Sequence, residues 1–530
     1  MEKDNAPTIV DPDDREPAGD LFPNDAKDIA QGALVNFVGK FGRLAKGSFI
    51  WVVVLLFGKD VLGLYEQVWA IISTLQSVAT FGLHRSIVRF IVEAQAAKDK
   101  DKEERVLLVA LLFSLSFSTI ISGLTMLAAD WIVAFYDAPD LGTPLMIMAL
   151  ALPFLAMGTV LVGATRALRI MRVDVYVSSI AAPLILLVIG SVAGLLEWGL
   201  KGLALAQVAM ALGRFLLAGY FFRRYFSLGA CLKHLRERLP WSVFISSSLP
   251  IMINDMINSI LLRLDILMLA AYVEPGLVGI YAIARRISSA ILKLPESFDP
   301  IFSTVVSDLA FRQEHQQLGN RFVTVARWTL IVGLPFLAAM FLIGRRIVDL
   351  GGPEMAVLAP TLVVLSTGMT LFGLFALGGP LLIMTGRPYL SLANRIIWLG
   401  TNIVLNLLLI PRYGILGAAL GTSISMNLAN ILRVIQIYVI YKIHPLQPSL
   451  LKPLCAALVA GLAVGLLMFY SQDYKETTGV VIGYFLGFST VYIYLLTLLK
   501  FEEEDRMVIK QMHQRLKEIL AKTWGKFRSE

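Results

Sequence analysis

Charge is what this chain has least of. Asp, Glu, Lys and Arg together make up 16% of its 530 residues, against 57% hydrophobic residues. Soluble proteins of this length carry about 25% charged residues, so a water-soluble globular fold is excluded. Cysteine is scarcer still: Cys231 and Cys455 are the complete set. Both fall near expected helix ends and read as small packing residues, with no disulfide framework and no metal-ligand spacing. Catalytic signatures are missing as well. There is no HExxH, no GxSxG and no phosphate-cradling glycine loop, and no large extramembrane stretch to hold catalytic groups. The reading is a non-enzyme with no cofactor and no metal. The net charge of +8 is no sign of nucleic acid, because membrane proteins retain Lys and Arg on cytoplasmic loops.

What is present is apolar length. The mean hydropathy is +0.71, and runs of about twenty apolar residues recur from end to end, enough for a bilayer crossing each. Fourteen spans are expected near 32–57, 64–90, 106–128, 143–164, 176–196, 201–222, 242–272, 277–305, 322–343, 356–384, 389–410, 415–441, 452–470 and 479–499. This is an all-α polytopic membrane protein. Alternate loops differ in charge, with about seventeen cations on one set and six on the other. That bias places both termini in the cytoplasm. The loop "DWIVAFYDAPDLG" (130–142) holds no cation and falls on the outer side. Residues 1–31 read as an acidic disordered cytoplasmic tail rather than a cleavable signal peptide, which needs a basic start and an apolar stretch. Residues 501–530 gather Met507, Met512, Leu516, Ile519 and Leu520 on one helical face, as in an amphipathic helix on the inner leaflet; a partner-binding helix is the competing reading.

The chain repeats itself. "GKDVLGLYEQVWAI" (58–71) matches "VEPGLVGIYAIARRI" (273–287), pairing Tyr65 with Tyr281 at an offset of 216. "GLKGLALAQVAMALGRF" (199–215) matches "GILGAALGTSISMNLAN" (414–430), pairing Gly202 with Gly417 at an offset of 215, and Arg172 and Arg387 share that offset. Two homologous six-helix bundles follow, residues 32–224 and 242–442, with two further helices in 450–500. Halves of six helices insert in the same orientation, and such parallel repeats rock around a central cavity. This is transporter architecture.

Cations stand where lipid should be. In "NFVGKFGRLAKGSFIWVVVLLFG" (36–58) the purely apolar part, Ser48–Phe57, is about ten residues, or roughly 15 Å of helix against a hydrocarbon core of roughly 30 Å. A helix that crosses here must include Lys40, Arg43 and Lys46. The second span carries a polar stripe of Glu66, Ser73, Ser77, Thr80 and His84, with Gln76 and Arg85 beside it; the seventh carries Asn254, Asp255, Asn258, Arg263 and Asp265; the eighth carries Arg285, Arg286 and Lys293. Each ionisable group at mid-bilayer costs about 2.5–3.5 kcal/mol, so these groups are paired or line a wet cavity. For Lys40, Arg89 and Arg285 the competing reading is a helix-end cation reaching for the interface. For Arg43, Arg85, Arg263 and Arg286 it is a structural pair with Glu66, Asp255 or Asp265. Bases outnumber acids, so a net cationic lumen and an anionic cargo are expected, since guanidinium groups grip phosphate oxygens bidentately.

Three stretches carry a resemblance: "GLYEQVWAI" with the following "FGLHRSIVRFI" (81–91), "LDILMLAAYVEPGLVGIYAIARRI" (264–287) and "NIVLNLLLIPRYGILGAALGTSIS" (402–425). With them, the chain from about Gly32 to Lys500 resembles bacterial polysaccharide flippases of the multidrug/oligosaccharidyl-lipid/polysaccharide exporter superfamily. The resemblance implies a carrier that moves an undecaprenyl-pyrophosphate-linked oligosaccharide to the periplasmic leaflet of a bacterial inner membrane by alternating access. It implies that Lys40, Arg43, Lys46, Arg85, Arg263 and Arg286 contact the cargo's pyrophosphate or acidic sugars. Asp265 occupies the acidic position before the hairpin, and Glu66, Asp255 and Asp265 are the candidates for ion coupling or charge pairing. A polysaccharide polymerase and export machinery are the implied partners. The fourteen-span count also resembles the lipid II flippase branch, and a cation-coupled multidrug antiporter of the same superfamily is the other alternative.

Overall fold

The computed structural model describes residues 25–168, 170–234, 241–351, 357–443, 447–470 and 478–499. Side chains before Ser48 are not among those described, and the expected acidic tail up to residue 24 and the expected amphipathic helix 501–530 lie outside the described residues. Every regular element among the described residues is helical. Eleven segments there are long and apolar enough to cross a membrane. Two of these, Ser48–Ala96 and Pro388–Tyr441, are 49 and 54 residues long, about twice what a bilayer needs.

Glycine breaks the long segments. The first helix, Asp25–Ala79, is interrupted at Gly58, with φ 83° and ψ 174°, a conformation closed to residues with a Cβ. It is helical from Asp25 up to that break, so Lys40, Arg43 and Lys46 stand on the same helix as the apolar run. The helix Pro388–Tyr441 is interrupted at Gly414, φ 55°. Gly199, 215 positions earlier, has φ 58°, so the repeated motif places a glycine at positive φ both times.

The chain forms two compact units. One takes in residues up to Leu56, Ala79–Leu124 and Ile147–Leu249. In it, Gly163 lets its helix approach the backbone of His84, where an added Cβ would sit 2.8 Å from the carbonyl oxygen. Phe90 stacks on Phe244 at 4.5 Å, and Ser86 shares a hydrogen bond of 2.7 Å with Ser248. The other unit takes in Phe57–Val78, Thr125–Met146 and the chain from Pro250 onward. Its core gathers Tyr281, Leu269, Leu362, Leu365 and Ala418, each fully buried. Within that unit Gly63 faces Gly279, its repeat-related counterpart. A Cβ on either would lie 3.1 Å from the other's amide nitrogen and inside contact with the carbonyl oxygens of Pro275 or Lys59. Only glycine permits that approach.

Candidate functional site

Three helical runs break at points that all lie in the second unit. Trp241–Leu261 stops and Leu264–Leu269 begins after Arg263, whose φ of −137° is not helical. Pro275–Ser288 tightens into a 3-10 turn, Ser289–Leu292, before Lys293–Phe311. Leu358–Leu374 ends three residues before Gly378–Met384. Interrupted helices in membranes are tolerated where the freed backbone lines protein or water. All three breaks line one cavity of about 660 Å³.

Its charge is unbalanced. Arg263, Arg285, Arg286, Lys293, Arg395 and Arg433 line it against Glu66, Glu296 and Asp299. Glu66, with a side chain 5% exposed, lies between two arginines, 3.9 Å from Nη1 of Arg263 and 3.9 Å from Nη2 of Arg286. At that distance the charges attract without a hydrogen bond. One turn along, Trp69 offers its ring face to Arg263, 5.5 Å from the guanidinium carbon.

Asp265 is buried behind this group. Its Oδ1 accepts the Ile266 amide at 2.9 Å and its Oδ2 accepts the Tyr281 hydroxyl at 2.7 Å. Nε of Arg285 approaches Oδ2 to 2.8 Å. That approach is a charge contact, since the Nε–H finds no acceptor in line.

Arg433 differs from the rest. It is 6% exposed, donates from Nη1 to the neutral Asn430 Oδ1 at 3.0 Å and lies 5.9 Å over the Phe372 ring. Its Nε has no hydrogen-bond partner, and among the described residues no carboxylate pairs with it. Arg395 reaches Asn254 Oδ1 at 3.4 Å. The two helical stretches that carry these arginines are tied by neutral amides: Asn394 and Gln436 exchange hydrogen bonds at 2.8 and 3.0 Å, and Asn402 donates to Ser425 at 2.9 Å.

The structure sorts the residues that the sequence singled out. It brings Glu66, Arg263 and Arg286 to one cavity. Asp265 stands just behind the lining, and Asp255 is outside it. Arg85 is exposed and belongs to the other unit. The side chains of Lys40, Arg43 and Lys46 lie outside the described residues. Arg285, for which a helix-end position was the competing reading, is instead a cavity residue paired with Asp265, whereas Arg89 makes an exposed pair with Glu93. Of the stripe on the second span, Ser73 and Ser77 donate to carbonyls of their own helix at 3.3 and 2.6 Å, and Glu66 lines the cavity. Sequence reasoning missed Arg395 and Arg433; one arginine in each of two apolar runs was the signal available. It also missed Asp101, Glu104 and His234, whose ligand atoms lie within 4.8 Å of one another, where His234 and Glu104 share a hydrogen bond of 3.2 Å.

Comparison with known proteins places this geometry. The family model described as "Polysaccharide biosynthesis protein" matches residues 29–306, just over half of the chain. The chain belongs to this family. The match holds Glu66, Arg263, Arg285 and Arg286, while Arg395 and Arg433 fall beyond it. The chain is 29% identical over 258 residues to the "Probable flippase AglR" of Haloferax volcanii, covering 46% of this chain and 52% of that one. It is 21% identical over 170 residues to the "Probable low-salt glycan biosynthesis flippase Agl15" of the same organism, covering 32% of this chain and 36% of that one. The chain therefore spans about half the length of the curated relatives, or less. Both are archaeal, where the motifs had suggested bacteria. Among solved structures, the fold resembles the "Lipid II flippase MurJ, inward closed conformation" with a TM-score of 0.72 at 14% identity, over 88% of this chain and 98% of that one. It also resembles an inward-facing "multidrug resistance MATE family transporter of the MOP superfamily" with a TM-score of 0.66 at 15% identity, over 76% and 94%. The chain is thus a multi-pass membrane protein with a transporter fold, all-helical among the described residues, and its relatives are named as flippases and transporters, not enzymes.

Proposed function

We propose that this chain is a flippase for an anionic, lipid-linked oligosaccharide, working by alternating exposure of a cationic cavity to the two membrane faces. The observation that carries the reading is the cavity with six bases and three carboxylates inside a member of a polysaccharide biosynthesis family. The lipid tail stays in the bilayer while the polar head enters the cavity, where Arg263 and Arg286 exchange Glu66 for oxygens of the linking phosphates. Lys40, Arg43 and Lys46, whose side chains lie outside the described residues, remain the further candidate contacts for the cargo. The two halves, 32–224 and 242–442, are the moving bodies, and the protein sits in the inner or plasma membrane with both termini cytoplasmic. An inside-negative potential drives the head outward by about 2.3 kcal/mol per charge per 100 mV. Of the three candidate coupling carboxylates, Glu66 alone faces the cavity, and a coupling ion acts there.

Lipid II, the cargo for which the structural neighbour with a TM-score of 0.72 is named, is the second reading. The excess of bases argues against a carrier of cationic drugs. The test is reconstitution of the full chain in vesicles with a fluorescent diphosphate-linked disaccharide lipid, following its arrival in the opposite leaflet by quencher access. Arg286→Glu is expected to slow arrival at least tenfold at equal incorporation. Wild-type vesicles no faster than protein-free ones would remove the reading, and selective movement of lipid II would replace it with the second.

A further inference from the structure

Away from the cavity, one cluster of side chains has no part in the transport reading. On the helix Lys100–Leu127, Asp101 and Glu104 stand three positions apart and share a face. His234, just past the short helix Leu228–Lys233, meets Glu104 from 130 positions along the chain. All three residues belong to one compact unit, and none of them lines the cavity. A carboxylate oxygen of each acid and an imidazole nitrogen lie within 4.8 Å of one another. His234 is 8% exposed, Glu104 is half-buried, and Asp101 faces solvent. The His234 Nε2 and the Glu104 Oε2 are 3.2 Å apart. A proton can bridge that separation. It is also close to the edge of a tetrahedron whose ligands stand about 2.0–2.2 Å from a central ion, roughly 3.3–3.6 Å. The two carboxylates meet as like charges, which one imidazolium offsets by half and a dication offsets in full.

We propose that Asp101, Glu104 and His234 hold a divalent transition-metal ion of the zinc type. The Cys231 sulfur, one turn before His234, is not among the close atoms, so the donors are one nitrogen and two oxygens. Imidazole turns such a set away from magnesium and calcium and toward zinc and its neighbours. Glu104 and His234 form the rigid edge. Asp101, exposed on the first turn of its helix, swings in to close the third corner, and water takes the fourth. The bound ion pins His234 to the start of the helix Lys100–Leu127. His234 lies just before Trp241, where the helix that opens the second repeat begins, so the pin holds the root of the connection between the repeats. Spacing along the sequence could not show this set, because its nitrogen comes from a distant stretch.

The untagged full chain in lipid nanodiscs is stripped with chelator and titrated calorimetrically with Zn²⁺ and with Mg²⁺. Wild type is expected to bind a single zinc ion, roughly a hundredfold tighter than magnesium, and to melt at a higher temperature when zinc is present. Glu104→Gln and His234→Gln keep polar groups at the site, and each should weaken zinc at least as much as loss of an outer-shell partner does, roughly ten- to hundredfold. Asp101→Asn, at the exposed corner, should weaken it by about tenfold. His315→Gln, outside the cluster, should leave binding unchanged. Melting without metal checks that each variant is folded; should one of the Gln variants fail to fold, the other decides. A wild type that takes up no zinc, zinc held no tighter than magnesium, or zinc binding untouched in the folded Gln variants would overturn the proposal. No cargo enters the test, so failure of the transport reading leaves the metal site standing, and the reverse holds as well.

Discussion

Asp265 and Arg285 give the sharpest quantitative test. The carboxylate is 2% exposed and the guanidinium 17%, so each depends on the other. Arg285→Met leaves an anion in apolar surroundings with the Tyr281 hydroxyl and the Ile266 amide as its remaining donors. Removing one partner of a buried pair costs about 3–5 kcal/mol, and this variant belongs at the upper end. Asp265→Asn strands the cation instead. The open side of the cavity hydrates Arg285, so the loss should be smaller, about 2–3 kcal/mol on the same scale. In the double variant both charges are gone, and the Tyr281 hydroxyl still has an amide oxygen to reach. Replacing a buried pair with neutral groups is often nearly neutral, so the double variant should lose no more than Asp265→Asn alone. The assay is a double-mutant cycle by denaturant unfolding of the purified full chain in mixed micelles, with an expected coupling at least as large as the Arg285→Met loss, about 4–5 kcal/mol. Losses that add to within about 0.5 kcal/mol, as for independent sites, would refute the pairing.

Other consequences are simpler to measure. Gly63→Ala and Gly279→Ala each push a methyl into backbone of the facing helix and should destabilise by about 1–3 kcal/mol. Gly123→Ala, with nothing within 4 Å of its Cβ, should leave the melting temperature unchanged or raised. Asn394→Leu strands the Gln436 amide and should cost about 0.6–2 kcal/mol, the range for hydrogen bonds inside membranes, with the loss reduced when Gln436→Leu is added. Burial, with Glu104 nearby, pushes the Cys231 thiol up to about 11. In a Cys455→Ser background it should therefore resist maleimide at pH 7.5 and label as pH rises toward 11; rapid labelling of the folded chain at pH 7.5 would contradict that burial.

The legible part of the site was charge inside apolar runs. Arg263 and Arg286 stand out because lipid-facing helices shun guanidinium groups, and Glu66 stands out for the same reason. What the runs concealed was interruption. Nothing at Leu262–Arg263 marks a break: proline and glycine are absent there, and the turn is set by packing of the flanking pieces. The 3-10 turn Ser289–Leu292 is equally silent. Those interruptions form the cavity wall, so its position was hidden even where its charges were visible. Helical periodicity sets Arg85 beside a polar stripe, but periodicity gives a face and not a partner; its side chain is exposed. The turns at Gly199 and Gly414 were readable from the repeat, because a backbone that needs positive φ leaves its mark as glycine.

The placement of the carboxylates follows from the cost of the bases. Arg263, Arg285 and Arg286 would together cost of order 10 kcal/mol in dry hydrocarbon at about 2.5–3.5 kcal/mol each, comparable with the whole stability of a typical domain. Glu66 and Asp265 offset two of the three charges, but in unequal ways. Asp265 is held by a hydroxyl, an amide and an arginine, so it is fixed. Glu66 stands 3.9 Å from both of its arginines, too far for a hydrogen bond, so its hold on each is weaker. A phosphate oxygen at about 2.8 Å would bind those guanidinium groups more strongly than Glu66 does. The tight pair therefore belongs to the scaffold, and the loose one belongs to the site that opens for an anion.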